Sequence, residues 1–90
     1  MISQMISEFI GTFILVLAIL LSGQPLYIAA GFLAAITIAG GISGGHLNPA
    51  VSLSMFVNGD LSAVGLSQYI VAQIAGALAA LAIVKTLKKT

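Results

Sequence analysis

The sequence contains no cysteine and no arginine, and its formal charges are confined to three Lys, Glu8 and Asp60. Without Cys there are no disulfides, no thiolate metal sites and no cysteine nucleophile; compartment is not decided by this. A net charge of +1 without a basic cluster excludes a nucleic-acid partner. With 6% charged residues, the chain cannot cover the surface of a soluble domain, which carries about a quarter charged residues. What is there instead is apolar. Hydrophobic residues make up 60% of the chain and run in long stretches. The expected class is therefore an all-α membrane protein with lipid as its solvent. At about 20 residues per crossing, 90 residues allow three or at most four spans. A pore or transport path is expected to need more than one such unit.

The first apolar helix is expected over about 5–22. No Lys or Arg precedes it and Glu8 lies within it, which argues against a cleaved leader. Gly23 suits the position just past a helix end, and Pro25 the first turn of the next. The second helix is expected over about 25–42. Gly31, Ala35 and Ala39 recur on one of its faces and would let a neighbouring backbone approach closely. The last helix is expected over about 61–87, with Ala72, Gly76 and Ala80 in the same spacing. Asn58-Gly59 reads as the turn before it, and Asp60 as its N-terminal cap. Lys85, Lys88 and Lys89 would bias the C-terminus toward the cytoplasm.

Residues 43–57 fit neither a crossing nor a surface loop. Ser43-Gly44-Gly45-His46-Leu47 holds a helix poorly. Asn48-Pro49-Ala50 then supplies a good capping residue with Pro in the first helical position, followed by the apolar run Val51–Val57. A helix of about ten residues is roughly 15 Å long, about half the hydrocarbon thickness. The expectation is a re-entrant segment, in which an extended loop enters and a half-helix returns. Irregular backbone at that depth must be buried in protein or line a wet cavity. The half-helix would aim its free N–H groups and positive dipole end at the bilayer centre. The amide of Asn48 would be a donor there, and the carbonyls of Gly44, Gly45, His46 and Leu47 a row of acceptors. That combination suits an uncharged polar solute and disfavours cations. An anion site at the helix end is the competing reading, weakened by the lack of a nearby Lys or Arg.

Glu8 is an acid inside an apolar helix and needs partners. Glu8 and Gln73 are expected to brace the loop backbone, with proton coupling by Glu8 as the alternative. Thr12 and Tyr69 share their faces and are candidates to extend the network. His46 has no second ligand for a metal, and its backbone carbonyl is expected to matter more than its ring. No cofactor, metal or catalytic group is expected, since there is no nucleophile–base pair.

The segment from Ser43 to Ser52, Ser-Gly-Gly-His-Leu-Asn-Pro-Ala-Val-Ser, resembles the first pore loop of the aquaporin and glycerol-facilitator family. Glu8-Phe9-Ile10-Gly11-Thr12-Phe13 is similar to that family's first-helix motif. Tyr69 to Ala77 is similar to its third-helix motif. The motifs occur in family order and cover essentially the whole chain. The resemblance implies one aquaporin-like unit over 1–90: three transmembrane helices plus one re-entrant half-helix, from a fold of two inverted repeats whose half-helices meet at the midplane. It implies that Gly44 to Val51 line a pore, that Asn48 orients the solute, and that Glu8 and Gln73 brace the loop. It places candidates for the outer filter at Tyr27, Ile28 and Val51. The family usually has Arg after its second Asn-Pro-Ala; here Val51 follows Ala50, which puts strict water selectivity in doubt.

The leading expectation is a passive channel for water or a small neutral solute such as glycerol. It would lie in the plasma (inner) membrane as a multi-pass protein, formed by an antiparallel dimer of identical chains, with four dimers as a possible larger assembly. The lysine bias runs opposite to the family's first repeat and counts against a single orientation. The alternatives are a half-channel that needs a separate second-repeat chain, a small dual-topology proton-coupled exporter using Glu8, and a non-channel interaction protein.

Overall fold

A computed structural model describes residues 1–88; Lys89 of the C-terminal lysine group lies outside the described residues. Among these the chain is all-helical: α1 (Ile2–Ser22), α2 (Pro25–Ala39), α3 (Pro49–Val57) and α4 (Ala63–Lys88). α1 and α4 are each long and apolar enough to cross a membrane.

Local chemistry sets the boundaries. α1 ends where Gly23 turns left-handed (φ 68°) and its N–H reaches Ile19 O, a conformation that costs Gly little. Pro25 opens α2 at its first position. α2 stops three residues short of the expected end, because residues 40–43 turn instead, with Ile42 and Ser43 N–H both donating to Ala39 O. At 15 residues it is about 22 Å long, shorter than α1 and α4. α3 begins at Asn48, whose extended backbone and side-chain bond to Ala50 N form the cap. The cap of α4 differs from the sequence expectation. Ser62, not Asp60, accepts from Gly65 N at 2.9 Å. Asp60 is held in the preceding turn, accepting from Asn58 Nδ2 at 2.6 Å and donating its N–H to Met55 O.

α1 is the centre of the unit. It packs on α2 and α4, while α3 packs on α4 and makes no contact with α2. Small residues set the closeness of these crossings. Ala35 and Ala39 are fully buried. A Cβ on Gly31 would sit 2.5 Å from Ala18 Cβ. Ala72, Gly76 and Ala80 are buried on α4. Large apolar side chains point outward instead: Leu26, Leu33, Val57, Val71 and Leu78 are all more than half exposed. The interior holds Ser7, Glu8, Ser43, Ser52 and Gln73. An apolar exterior around a polar interior is stable only in lipid or against partners.

Candidate functional site

Glu8 organises the loop. It is fully buried, and its carboxylate accepts four hydrogen bonds. Oε2 takes Ser43 Oγ–H at 2.5 Å and His46 N–H at 3.0 Å. Oε1 takes Leu47 N–H at 2.8 Å and Gln73 Nε2–H at 2.8 Å. Four donors match the acceptor capacity of an ionised carboxylate, and bonds to a charged group are the strong ones. Two loop N–H groups, those of His46 and Leu47, are thereby satisfied, as an interior segment requires.

The remaining bonds draw every helix to the same point. Tyr69 OH donates to Ser43 O at 2.8 Å. Gln73 Nε2 also donates to Ser52 Oγ at 2.9 Å, and Ser52 Oγ lies 2.9 Å from His46 Nδ1. Ser7 Oγ lies 3.1 Å from Ser43 Oγ, and Ala39 O at the end of α2 lies 3.3 Å from Ser43 Oγ, whose single proton goes to Glu8. The His46 ring packs on Tyr69 with centroids 4.8 Å apart. Glu8, Gln73 and Tyr69 are therefore brought together with the loop. Thr12 is buried beside them, but its hydroxyl has no partner, so it does not join the network. Ser7, Ser43 and Ser52 are the side chains that sequence reasoning missed. For Ser43 a signal was there, since a carboxylate with four acceptor sites needs more donors than Gln73 can supply; Ser7 and Ser52 do not touch Glu8 and had none.

Backbone conformation completes the loop. Gly44 (φ 90°), Gly45 (φ 65°) and Leu47 (φ 59°) are left-handed. At Leu47 this costs about 1–2 kcal/mol, offset by its bond to Glu8 and by burial against Ala35, Ala39, Ile14 and Leu15. Gly11 leaves the room, since a Cβ there would collide with Leu47 Cδ2. Leu47→Ile puts a β-branched residue into this conformation and is expected to destabilise by about 1–3 kcal/mol, read as a lower unfolding midpoint in detergent. Unbranched Leu47→Met is expected to cost less than about 1.5 kcal/mol. An equal loss for both would show that the backbone at 47 is relaxed.

The tip of α3 is open. Asn48, Pro49 and Ala50 are exposed. Asn48 Oδ1 caps Ala50 N at 2.8 Å, which leaves its Nδ2 free to donate. Beside the tip runs a groove of about 270 Å³, bounded by Thr12, Leu47, Asn48, Pro49 and Gln73 with an apolar wall including Leu15 and Ile74. Gln73 Oε1 is buried and without a partner. Of the residues expected to line a path, Leu47, Asn48 and Pro49 lie on this groove; Gly44, Gly45, His46, Ala50 and Val51 do not. Tyr27 and Ile28 start α2, Val51 is exposed on α3, and the two helices do not touch. The unit alone does not gather these three into a filter. Among the described residues no three His, Asp or Glu side chains come together to hold a metal ion.

The loop and the helices that hold it have counterparts elsewhere. The family model described as major intrinsic protein matches residues 1–90. The glycerol uptake facilitator protein-like 6 of Lactiplantibacillus plantarum is 43% identical over 90% of this chain and 42% of its own length. Aquaporin Z of Brucella melitensis is 47% identical over 92% of this chain and 43% of its own length. Human aquaporin-9 is 42% identical over 82% of this chain and 30% of its own length. The chain thus spans less than half the length of these curated relatives. No solved structure matches significantly. With the family model covering every residue, and the apolar exterior described above, the chain is an integral membrane protein that belongs to the major intrinsic protein family.

Proposed function

We propose that this unit is one half of a passive channel for water or a small neutral solute such as glycerol. A second half-repeat in the opposite orientation would complete the pore, with the two half-helix tips meeting at the midplane. The single observation that carries this reading is the open tip. Asn48 is exposed with a free donor, beside a groove that Thr12, Leu47 and Gln73 help to bound. A polar tip left open in an otherwise apolar exterior must be covered by protein or wetted within the bilayer. α1, α2 and α4 would cross the bilayer, with α2 completed by the turn after Ala39, and α3 would re-enter from one side.

In this arrangement Gly44 to Val51 form one wall of the path. The left-handed glycines suit a row of outward carbonyl acceptors, and Asn48 is the donor at its end. Tyr27, Ile28 and Val51 are filter candidates only once another half-repeat faces them. The dipole of α3 opposes cations at the tip. Relatives named as a glycerol uptake facilitator and an aquaporin support the solute class. Antiparallel pairing of two copies, in the plasma membrane, is the simplest assembly. A second half supplied by different sequence is the other reading, favoured by the absence of Arg from this one. Proton coupling through Glu8 is disfavoured by its geometry: one donor on each of its oxygens is a backbone N–H group that cannot reverse.

Reconstituted in liposomes and given an osmotic step, the chain is expected to accelerate shrinkage without any ion gradient. Shrinkage no faster than in empty liposomes sinks the two-copy channel. In the same assay Asn48→Asp is expected either to lower water permeability at least about tenfold or to admit Na⁺ and K⁺, because a carboxylate reverses the sign of the field at the tip. Unchanged, cation-tight flux would remove Asn48 from the path.

A further inference from the structure

The bonds joining Gln73, Ser52 and His46 have forced directions. Glu8 Oε1 already accepts from Leu47 N–H, so it is the amide nitrogen of Gln73 that faces it. That orientation is assigned from the network. One Nε2 proton goes to Glu8 and the other to Ser52 Oγ. Ser52 is fully buried and, having accepted from Gln73, keeps its own proton to donate. Its one remaining side-chain partner among the described residues is His46 Nδ1, at 2.9 Å. A ring nitrogen that accepts a hydrogen bond is unprotonated, which leaves the ring proton on Nε2. Protonating Nδ1 would turn it into a donor and strand the Ser52 proton in the interior.

His46 Nε2 makes no hydrogen bond among the described residues. It lies beside Gly44, where a Cβ would come within 3.4 Å of it. Tyr69 fixes the plane of the ring. The charged and titratable groups facing His46 are Glu8 from α1, which takes its N–H, and Tyr69 from α4; α3 carries none.

We propose that Ser52 is a positioning residue that locks His46 as the neutral Nε2–H tautomer, and that His46 thereby presents a fixed N–H donor beside the carbonyls of the glycine loop. The wall then offers a donor among its acceptors, a pattern that selects hydroxyl compounds able to use both. The selectivity role rests on the channel reading; the tautomer does not.

The test uses the full chain in lipid bilayers, labelled with ¹⁵N-histidine. His46 is the one histidine, so its two ring nitrogens and its amide nitrogen give the only labelled signals. Magic-angle spinning spectra are expected to show unprotonated Nδ1 and protonated Nε2 at neutral pH. Ser52→Ala is expected to mix the tautomers, and Ser54→Ala, on the exposed side of α3, to change nothing. A dominant Nδ1–H form in the wild type, or tautomers unchanged in Ser52→Ala, overturns the assignment. In liposomes Ser52→Ala is expected to shift the ratio of glycerol to water permeability about three- to tenfold, the worth of one hydrogen bond. An unchanged ratio overturns the selectivity role. The expected tautomer without any wild-type flux would retain the lock and reject the channel.

Discussion

Glu8→Gln is expected to destabilise the unit by about 2–4 kcal/mol and to cut water permeability close to the lipid background, although the two side chains are nearly the same shape. From sequence alone a Gln at this position keeps one bracing bond and largely preserves function. The four donors around Glu8 support the larger loss instead. An amide has one oxygen, so its NH₂ must face one pair of donors. If it faces Oε2's partners, Ser43 can reverse and accept, but His46 N–H is left bare. If it faces Oε1's partners, Leu47 N–H and Gln73 Nε2 both lose their acceptor. Either way a buried N–H is stranded, and the charge that strengthened the other bonds is gone. Glu8→Leu removes all four acceptor sites and is expected to be worse. Thermal unfolding in detergent and osmotic shrinkage of liposomes measure the two effects. Near-wild-type stability and flux in Glu8→Gln would show that the loop is held by its packing and not by the carboxylate.

The second large effect is expected at Gly76. A Cβ there would collide with Phe9 O and sit 3.2 Å from Phe13 N, both backbone atoms of α1. Backbone cannot swing aside as a side chain can, so α1 and α4 must separate. Gly76→Ala is expected to cost about 1–3 kcal/mol. Gly76→Val adds two methyl groups to the same contact and is expected to leave no correctly folded protein. Gln73, one turn earlier on α4, is pulled from Glu8 by the same displacement, so the loop fails along with the helix contact. Gly41→Ala is the control, since nothing lies within 4 Å of a Cβ at that position. Size-exclusion profiles and unfolding midpoints distinguish these outcomes. A well-folded Gly76→Val with normal flux would mean that the α1–α4 crossing is looser than described.

Much of the architecture was legible because it depends on neighbours in sequence. Gly23 followed by Pro25 breaks the first apolar run, and Asn48-Pro49 starts α3, each through backbone preferences of one or two residues. The small-residue spacing of Ala72, Gly76 and Ala80 marked a close-packed face, though not which helix would meet it. The cap of α4 was misread, because Asp60 and Ser62 are both good capping residues and the turn claims Asp60 first. The end of α2 was also extended too far. Gly40 and Gly41 follow Ala39 and weaken a helix there, and the Ala39 carbonyl is drawn into the turn that carries Ser43 to Glu8.

The sequence by itself determined the solvent and the elements. Sparse charge and long apolar runs demand lipid, and the Gly-rich segment before Asn48 cannot be a crossing helix. Tertiary structure alone decided who bonds to whom inside. Glu8 meets His46 and Leu47 across 38 and 39 residues, Ser52 stands between Gln73 and His46, and Thr12, on the same helix face as Glu8, is left out. The physical reason is that helix periodicity names a face, while a hydrogen bond needs atoms within about 3 Å in the right direction. The crossing of α1 on α4, set by Gly76, brings Gln73 to the carboxylate, and the turn after α2 brings Ser43, His46 and Leu47.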